Sequence, residues 1–178
     1  MATTFFSRAA TLIALLLVLT HGVVAAERGG LPAPTSGVTD LRFGEFFRLP
    51  VGRGGLEPSE RLQALNGQRV RVLGYVVSEE QPTPGLFMLT AHPVTLAEVA
   101  DGPADDLPPA TLFVHLAPAD ADKVVSHRPG LLVVSGVLEI GNQEEPNGRM
   151  SFVRLRLDQP LPDAEDVSAL PRSNAHIH

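Results

Sequence analysis

Apolar stretches, several of them alternating with polar residues, predict five β-strands in this chain. They cover residues 69–77, 85–90, 110–116, 131–140 and 149–158. In the last stretch Val153, Leu155 and Leu157 fall on one side of the strand, whereas Arg154 and Arg156 fall on the other. This period of two is typical of a sheet with one buried and one solvent-facing side.

A change of period predicts two short helices and one helical turn. Residues 57–67 favour a helix that begins at Pro58 and stops at Asn66-Gly67. Residues 118–126 favour a second helix, with acidic residues in its first turn. Phe43, Phe46 and Phe47 have the spacing that places three rings on one side of a turn. These rings either cover one end of the core or form a docking motif for a partner.

The order of these elements predicts a mainly β fold: a five-stranded OB-type barrel with one short helix between strands 3 and 4. Gly74 and Gly136 lie inside long predicted strands, where a glycine often marks the bend at which a sheet curls. A different small barrel and an open β-sandwich are the alternatives.

The first 26 residues have the three parts of a secretory signal peptide. Arg8 is their only charged residue, residues 9–19 are almost entirely apolar, and Val24 and Ala26 suit a cleavage site before Glu27. The apolar run is shorter than the roughly 20 residues of a membrane span, although an uncleaved anchor is an alternative. We therefore predict a signal peptide at 1–26, a flexible leader at 27–40, an OB-like barrel domain at 41–158 and a polar tail at 159–178.

Composition narrows the chemistry of the exported domain. The chain of 178 residues has a formal net charge of −6, which argues against a nucleic-acid partner. It contains no cysteine, so disulfides, thiolate metal sites, a cysteine nucleophile and a lipid-bearing cysteine are excluded. We expect a periplasmic or secreted protein that has no membrane span after cleavage.

A resemblance supports the same fold. The run L-N-G-Q-R-V-R-V-L-G-Y-V-V at residues 65–77, followed by G-L-F-M-L-T at 85–90, resembles a group of uncharacterised small exported bacterial OB-like proteins. Some members of that group carry cysteines just after the second strand, where this chain has residues 91–95 without one. The resemblance implies export and fold, and it implies no activity.

Four arginines form the clearest candidate binding surface. Arg69 and Arg71 recur with period two in the first strand, and Arg154 and Arg156 do so in the fifth. Each pair projects from one face of its strand, so neighbouring strands would combine them into a basic stripe for an anion or an acidic partner. The alternative is a set of charges that keeps the strand surfaces soluble.

Three histidines are the candidate metal ligands. His92 follows the second strand, and His176 and His178 stand at the C-terminus. A closed zinc site needs four ligands, and nothing in the spacing supplies the others. His115 is expected to be an exposed or hydrogen-bonded strand residue, and the adjacent acids Glu144 and Glu145 are expected to be solvated in a turn.

No catalytic motif is present: the chain lacks G-x-S-x-G, H-E-x-x-H, a P-loop and G-x-G-x-x-G. The long acidic loop at residues 92–109 is of the length that is usually functional or disordered. We therefore expect a non-enzymatic binding or adaptor module of the bacterial cell envelope, with no cofactor, whose partner is an unknown envelope protein or a small ligand. The alternatives are a periplasmic metal-handling protein that uses His92 and the C-terminal histidines, and an enzyme of unrecognised type.

Overall fold

The computed structural model describes residues 33–96, 98–99, 102–103 and 107–161, of which 98–99 and 102–103 are described by their backbone alone. Within them lie the strands β1 (Thr39–Asp40), β2 (Arg69–Val76), β3 (Leu86–Thr90), β4 (Glu98–Val99), β5 (Gly102–Pro103), β6 (Leu112–His115), β7 (Leu131–Glu144) and β8 (Met150–Arg156). The helix α1 (Glu60–Ala64) and the 3-10 turns Phe43–Glu45 and Pro118–Asp120 complete the described elements. None of the described helices is long and apolar enough to cross a bilayer.

The main sheet is mixed and has six strands in the order β1-β2-β3-β6-β8-β7. The pairs β1–β2 and β6–β8 are parallel, and the other pairs are antiparallel. In addition β2 pairs with β7, so that the hydrogen bonding of five strands returns to its starting strand. The mainly β prediction is confirmed, and the five predicted strands correspond to β2, β3, β6, β7 and β8.

Two features of the sheet go beyond the predicted strands. Thr39 and Asp40, at the end of the predicted leader, pair with Val70 and Arg71 as a sixth strand. β7 runs on to Glu144 and pairs with the start of β8, with an irregularity in the ladder between Ile140 and Gln143. The part of the β7–β8 hairpin nearest its turn therefore extends beyond the neighbouring strands β2 and β6.

Of the two predicted helices, only the first forms an α-helix. α1 begins after Ser59, whose hydroxyl accepts a hydrogen bond from the Leu62 N–H, and Gly67 adopts the left-handed φ of +75° that follows its end. The segment 118–126, predicted as a helix, forms only the 3-10 turn Pro118–Asp120. A stretch this short cannot recover the cost of helix nucleation unless a broad buried face supports it, and of its two valines Val125 is buried whereas Val124 is exposed.

The core lies between the inward faces of the sheet and the segment that precedes α1. Val70, Val72 and Val76 of β2 point into it, as their alternation predicts. Phe43 and Phe46 are buried there with ring centroids 5.1 Å apart, and the Phe43 ring lies against Gly74, where a Cβ would come within 2.7 Å of it. The phenylalanine turn therefore packs into the core and requires a glycine opposite it.

A second, smaller apolar cluster covers the outward side of β3 and β6. Leu86, Met88 and Phe113 point away from the main core, yet all three are buried. Their cover includes Val94, Leu96 and Leu107. The described flanks of the long loop at 92–109 thus pack over this side of the sheet and remove it from solvent.

Candidate functional site

The structure brings the four predicted arginines onto one outward face formed by β2, β7 and β8, here called the arginine face. Val137 of β7 pairs with Arg69 on one side and with Arg156 on the other. Arg71 lies two residues beyond Arg69 on β2, and Arg154 lies two residues before Arg156 on β8. The pairs are not direct neighbours, because β7 runs between their strands.

Every guanidinium group of the arginine face has a carboxylate beside it. Arg71 binds both carboxylate oxygens of Asp40, at 2.6 and 3.0 Å, and Arg69 pairs with Asp158. Glu139 of β7 accepts from the Arg156 Nε at 2.6 Å and lies 3.7 Å from the Arg154 Nε. Four guanidinium groups thus share three carboxylates: Asp40, Glu139 and Asp158.

These carboxylates determine what the arginine face can bind. The side chain of Arg156 is 52% exposed, whereas that of Arg154 is only 7% exposed. An incoming anion would have to displace a carboxylate that is already in place, so the face is poorly suited to a free anion. It is better suited to a polar protein surface, which can add hydrogen bonds to existing ion pairs without breaking them.

Apolar side chains continue the same outward face beyond the arginines. Leu73 pairs with Val133 and Tyr75 pairs with Leu131 across the β2–β7 ladder, so these four side chains form one patch. Leu131 is exposed, and the other three are half-buried. The β2–β7 side therefore combines an apolar patch with a border of ion pairs.

Two carboxylates of the described chain have shifted pKa values. The hydrogen bond from Arg71 holds the pKa of Asp40 below its usual value, because the ion pair stabilises the charged form. Burial raises the pKa of Glu79, and the positive charge of Arg149 partly opposes this effect. The lowered pKa of Asp40 thus reflects the ion pair that joins β1 to the arginine face.

The histidines predicted as metal ligands are not brought together by the described structure. His92 is exposed in the turn after β3, and its backbone carbonyl accepts a hydrogen bond from the Thr90 hydroxyl at 2.7 Å. His176 and His178 lie outside the described residues. In the part of the chain that is described, no three His, Asp or Glu side chains form a group that could hold a metal ion.

A buried polar cluster of His115, Glu145, Ser151 and Arg154 lies under the β7–β8 turn. The Glu145 side chain is fully buried and accepts a 2.5 Å hydrogen bond from the Ser151 hydroxyl. Its other carboxylate oxygen lies 3.0 Å from the His115 Nε2, in an orientation that does not make a hydrogen bond. Arg154 donates to the Ser151 hydroxyl and to the Gly141 carbonyl.

The expectation that Glu145 is solvated is wrong, whereas its neighbour Glu144 is exposed as expected. The turn bends over the outward face of β8 and carries Glu145 against His115. The cluster lacks the geometry of a nucleophile and its base, because the Ser151 hydroxyl bonds to the carboxylate rather than to the imidazole and is itself buried. The local sequence does not signal this burial, because Glu145 adjoins the turn residues Pro146, Asn147 and Gly148, where a carboxylate is ordinarily solvated.

Comparison with known proteins identifies no relative: the chain matches no protein-family model, no curated protein and no solved structure.

Proposed function

We propose that this chain is an exported, non-enzymatic binding module of the bacterial cell envelope that docks a protein partner on the outward face of β2 and β7. The observation that carries the proposal is the apolar patch of Leu73, Tyr75, Leu131 and Val133, which is bordered by the Arg71–Asp40 ion pair of the arginine face. An apolar centre with a polar rim is the usual anatomy of a protein interface.

The fold component of the proposal is an OB-type barrel. Following the paired residues around the ring from Val76 leads through Leu89, Leu112, Val153 and Ile140. The Ile140 N–H then donates to the side chain of Asn66, ten positions before Val76 in the chain. A stagger of this kind supports a sheet closed into a barrel, and five strands with a short helical turn between the third and fourth support the OB type.

The location and the mode of action rest on separate observations. The apolar segment at 9–19 with its Val24–Ala26 cleavage site supports export. The internal pairing of the arginines supports a protein partner over a free anion. The bonding of Ser151 within the polar cluster supports a structural role for the residues that most resemble catalytic ones.

A site-specific crosslinking experiment tests the docking face. A photoreactive phenylalanine analogue replaces Leu131 in the full chain, and a matched control carries it at Glu144, which is also exposed and lies at the far end of the same strand. Illumination of living cells should give one discrete adduct from position 131 and none from position 144. Identical adducts at both positions, or none at 131, would overturn the proposal.

A third variant adds specificity to that test. Arg71→Glu in the Leu131 crosslinking chain places a like charge beside Asp40 and disrupts the border of the patch. The yield of the adduct should fall several-fold, while the circular dichroism spectrum of the purified protein stays unchanged. An undiminished adduct would show that the partner contacts position 131 without using the arginine face.

A further inference from the structure

A second surface, separate from the docking face, is an exposed hairpin at residues 48–57. Its base is closed by the bridge between Phe47 and Pro58 and by a 2.9 Å hydrogen bond from the Arg48 N–H to the Glu57 carbonyl. Its tip is closed by the bridge between Gly52 and Gly55. The hairpin is thus an ordered projection, although the sequence there shows no strand pattern.

Three large aliphatic side chains on this hairpin face solvent. Leu49 is 75% exposed, Val51 54% and Leu56 42%. Isolated exposed aliphatic residues are common on protein surfaces, but three on one ten-residue projection form a concentration that usually marks an interaction site.

The charged side chains of the hairpin lie in two places, at its base and at its tip. At its base Arg48 pairs with Glu57 and Glu60, at 3.5 and 3.4 Å, and is neutralised. At its tip Arg53 has no ion pair within the described residues, and the glycines on both sides of it leave its guanidinium group unobstructed. The tip is therefore cationic on a protein whose net charge is negative.

The hairpin is anchored to the core at its root. Phe46 is fully buried, and its carbonyl accepts a 2.9 Å hydrogen bond from the Ser59 N–H. The ring of Phe47 packs 6.1 Å from that of Phe152 on β8. Because the root is fixed, the aliphatic side chains and Arg53 are presented together without an ordering cost at each encounter.

We propose that the exposed hairpin binds the surface of an anionic lipid bilayer, with Leu49, Val51 and Leu56 entering the interface and Arg53 contacting headgroup phosphates. The hairpin is convex, and a fluid interface accommodates a convex apolar tip without a matching cavity. The single free cation at the tip complements a negative lipid surface. At the base, both carboxylates, Glu57 and Glu60, already lie against Arg48, so insertion of the tip leaves no buried unpaired carboxylate.

The absence of cysteine permits a local test, since a single introduced cysteine is the only labelling site. The full chain is expressed with Val51→Cys, purified and labelled with nitrobenzoxadiazole. A matched control carries Glu144→Cys and is labelled in the same way. Vesicles contain phosphatidylcholine alone or with 30% phosphatidylglycerol. The label at position 51 should shift its emission to the blue with the anionic vesicles only, and the label at position 144 should not shift.

The local readout is needed because residues 9–19 would bind lipid themselves if they were retained, whereas only insertion of the hairpin moves a label at position 51. A blue shift at both positions, or none at 51 with anionic vesicles, would overturn the proposal. A shift at 51 that needs no vesicles and grows with protein concentration would assign the hairpin to a second copy of the chain and would equally overturn it.

Substitutions then separate the apolar and the charged contributions. Leu49→Asp should lower the lipid partition coefficient about tenfold, the expected loss for one aliphatic side chain. Arg53→Glu should remove the preference for anionic vesicles, and Arg53→Lys should retain it. Val124→Asp, a control at an exposed aliphatic residue outside both the hairpin and the docking face, should leave partitioning unchanged. Unchanged partitioning of the Leu49 and Arg53 variants would contradict the proposed contacts.

Discussion

Glu145 shows how a single residue can depart from the local pattern of its sequence. It adjoins a turn, where a carboxylate is ordinarily solvated, yet its side chain is fully buried against His115 and Ser151. Glu145 is buried because the β7–β8 turn bends toward His115. The irregularity in the ladder after Ile140 sets this bend. A carboxylate in this position is costly unless its oxygens keep their hydrogen-bond and ion-pair partners.

This cost gives a prediction for Glu145→Gln. The amide keeps a hydrogen-bonding oxygen for Ser151, but it places a buried N–H group against the His115 Nε2, where the orientation makes no hydrogen bond. We expect the free energy of unfolding, measured by urea denaturation at pH 7, to fall by about 1–3 kcal/mol. The matched change Glu144→Gln, at an exposed site, should alter it by no more than about 0.5 kcal/mol. Equal effects of the two substitutions would contradict the burial of Glu145.

The elements of the fold differ in how far their own sequences predict them. The five strands of the ring were predictable because each carries either an apolar–polar alternation or, in β3 and β6, a short continuous apolar run. β1 was not, since two residues have no period and Thr39 and Asp40 are ordered by pairing with β2. The segment 118–126 carries acidic residues suited to a helix start, but local propensity alone does not hold a helix of this length.

The candidate site also has features that the sequence predicts and features that it does not. Strand alternation predicts that Arg69 and Arg156 each point outward, but the predicted stripe needed neighbouring strands, whereas β7 runs between β2 and β8. Their carboxylates Asp158 and Glu139 could not be identified, because ion pairing across strands depends on register. The exposed hairpin was missed for a related reason: Leu49, Val51 and Leu56 occur in a Gly- and Pro-rich stretch without any periodic pattern.

Strand β7 offers a test of the close approach that its glycine allows. A Cβ at Gly136 would lie 2.3 Å from the Arg156 carbonyl of β8, so backbone would have to move. We expect Gly136→Ala to lower the free energy of unfolding by about 1–3 kcal/mol, as overpacking does. Gly44→Ala, where a Cβ meets nothing within 4 Å, is the matched control and should stay within about 0.5 kcal/mol of the parent protein. A Gly136 variant as stable as the control would mean that β7 and β8 are further apart than described.

For the whole molecule, the decisive feature is the pairing between β2 and β7. The ladder from Arg69↔Val137 to Tyr75↔Leu131 joins the β7 end of the six-stranded order back to β2. Each of the strands β2, β3, β6, β7 and β8 therefore has a partner on both sides. Separating any one of them breaks two ladders and opens the core that Val72, Val134 and Leu155 share.

Hydrogen exchange measured by mass spectrometry and NMR tests whether this ring unfolds as one unit. The slowest amides of all five strands should exchange with the same opening free energy, equal to that of global unfolding, because no strand can open without the others. Amides of the exposed hairpin at 48–57 should exchange through local openings, since its contacts to the core lie only at its root. If the amides of the β2–β7 ladder instead open several kcal/mol more readily than those of the β3–β6 ladder, the sheet unzips at that seam. The β2–β7 pairing would then be an edge contact, and the barrel proposal would fail while the six-stranded sheet remained.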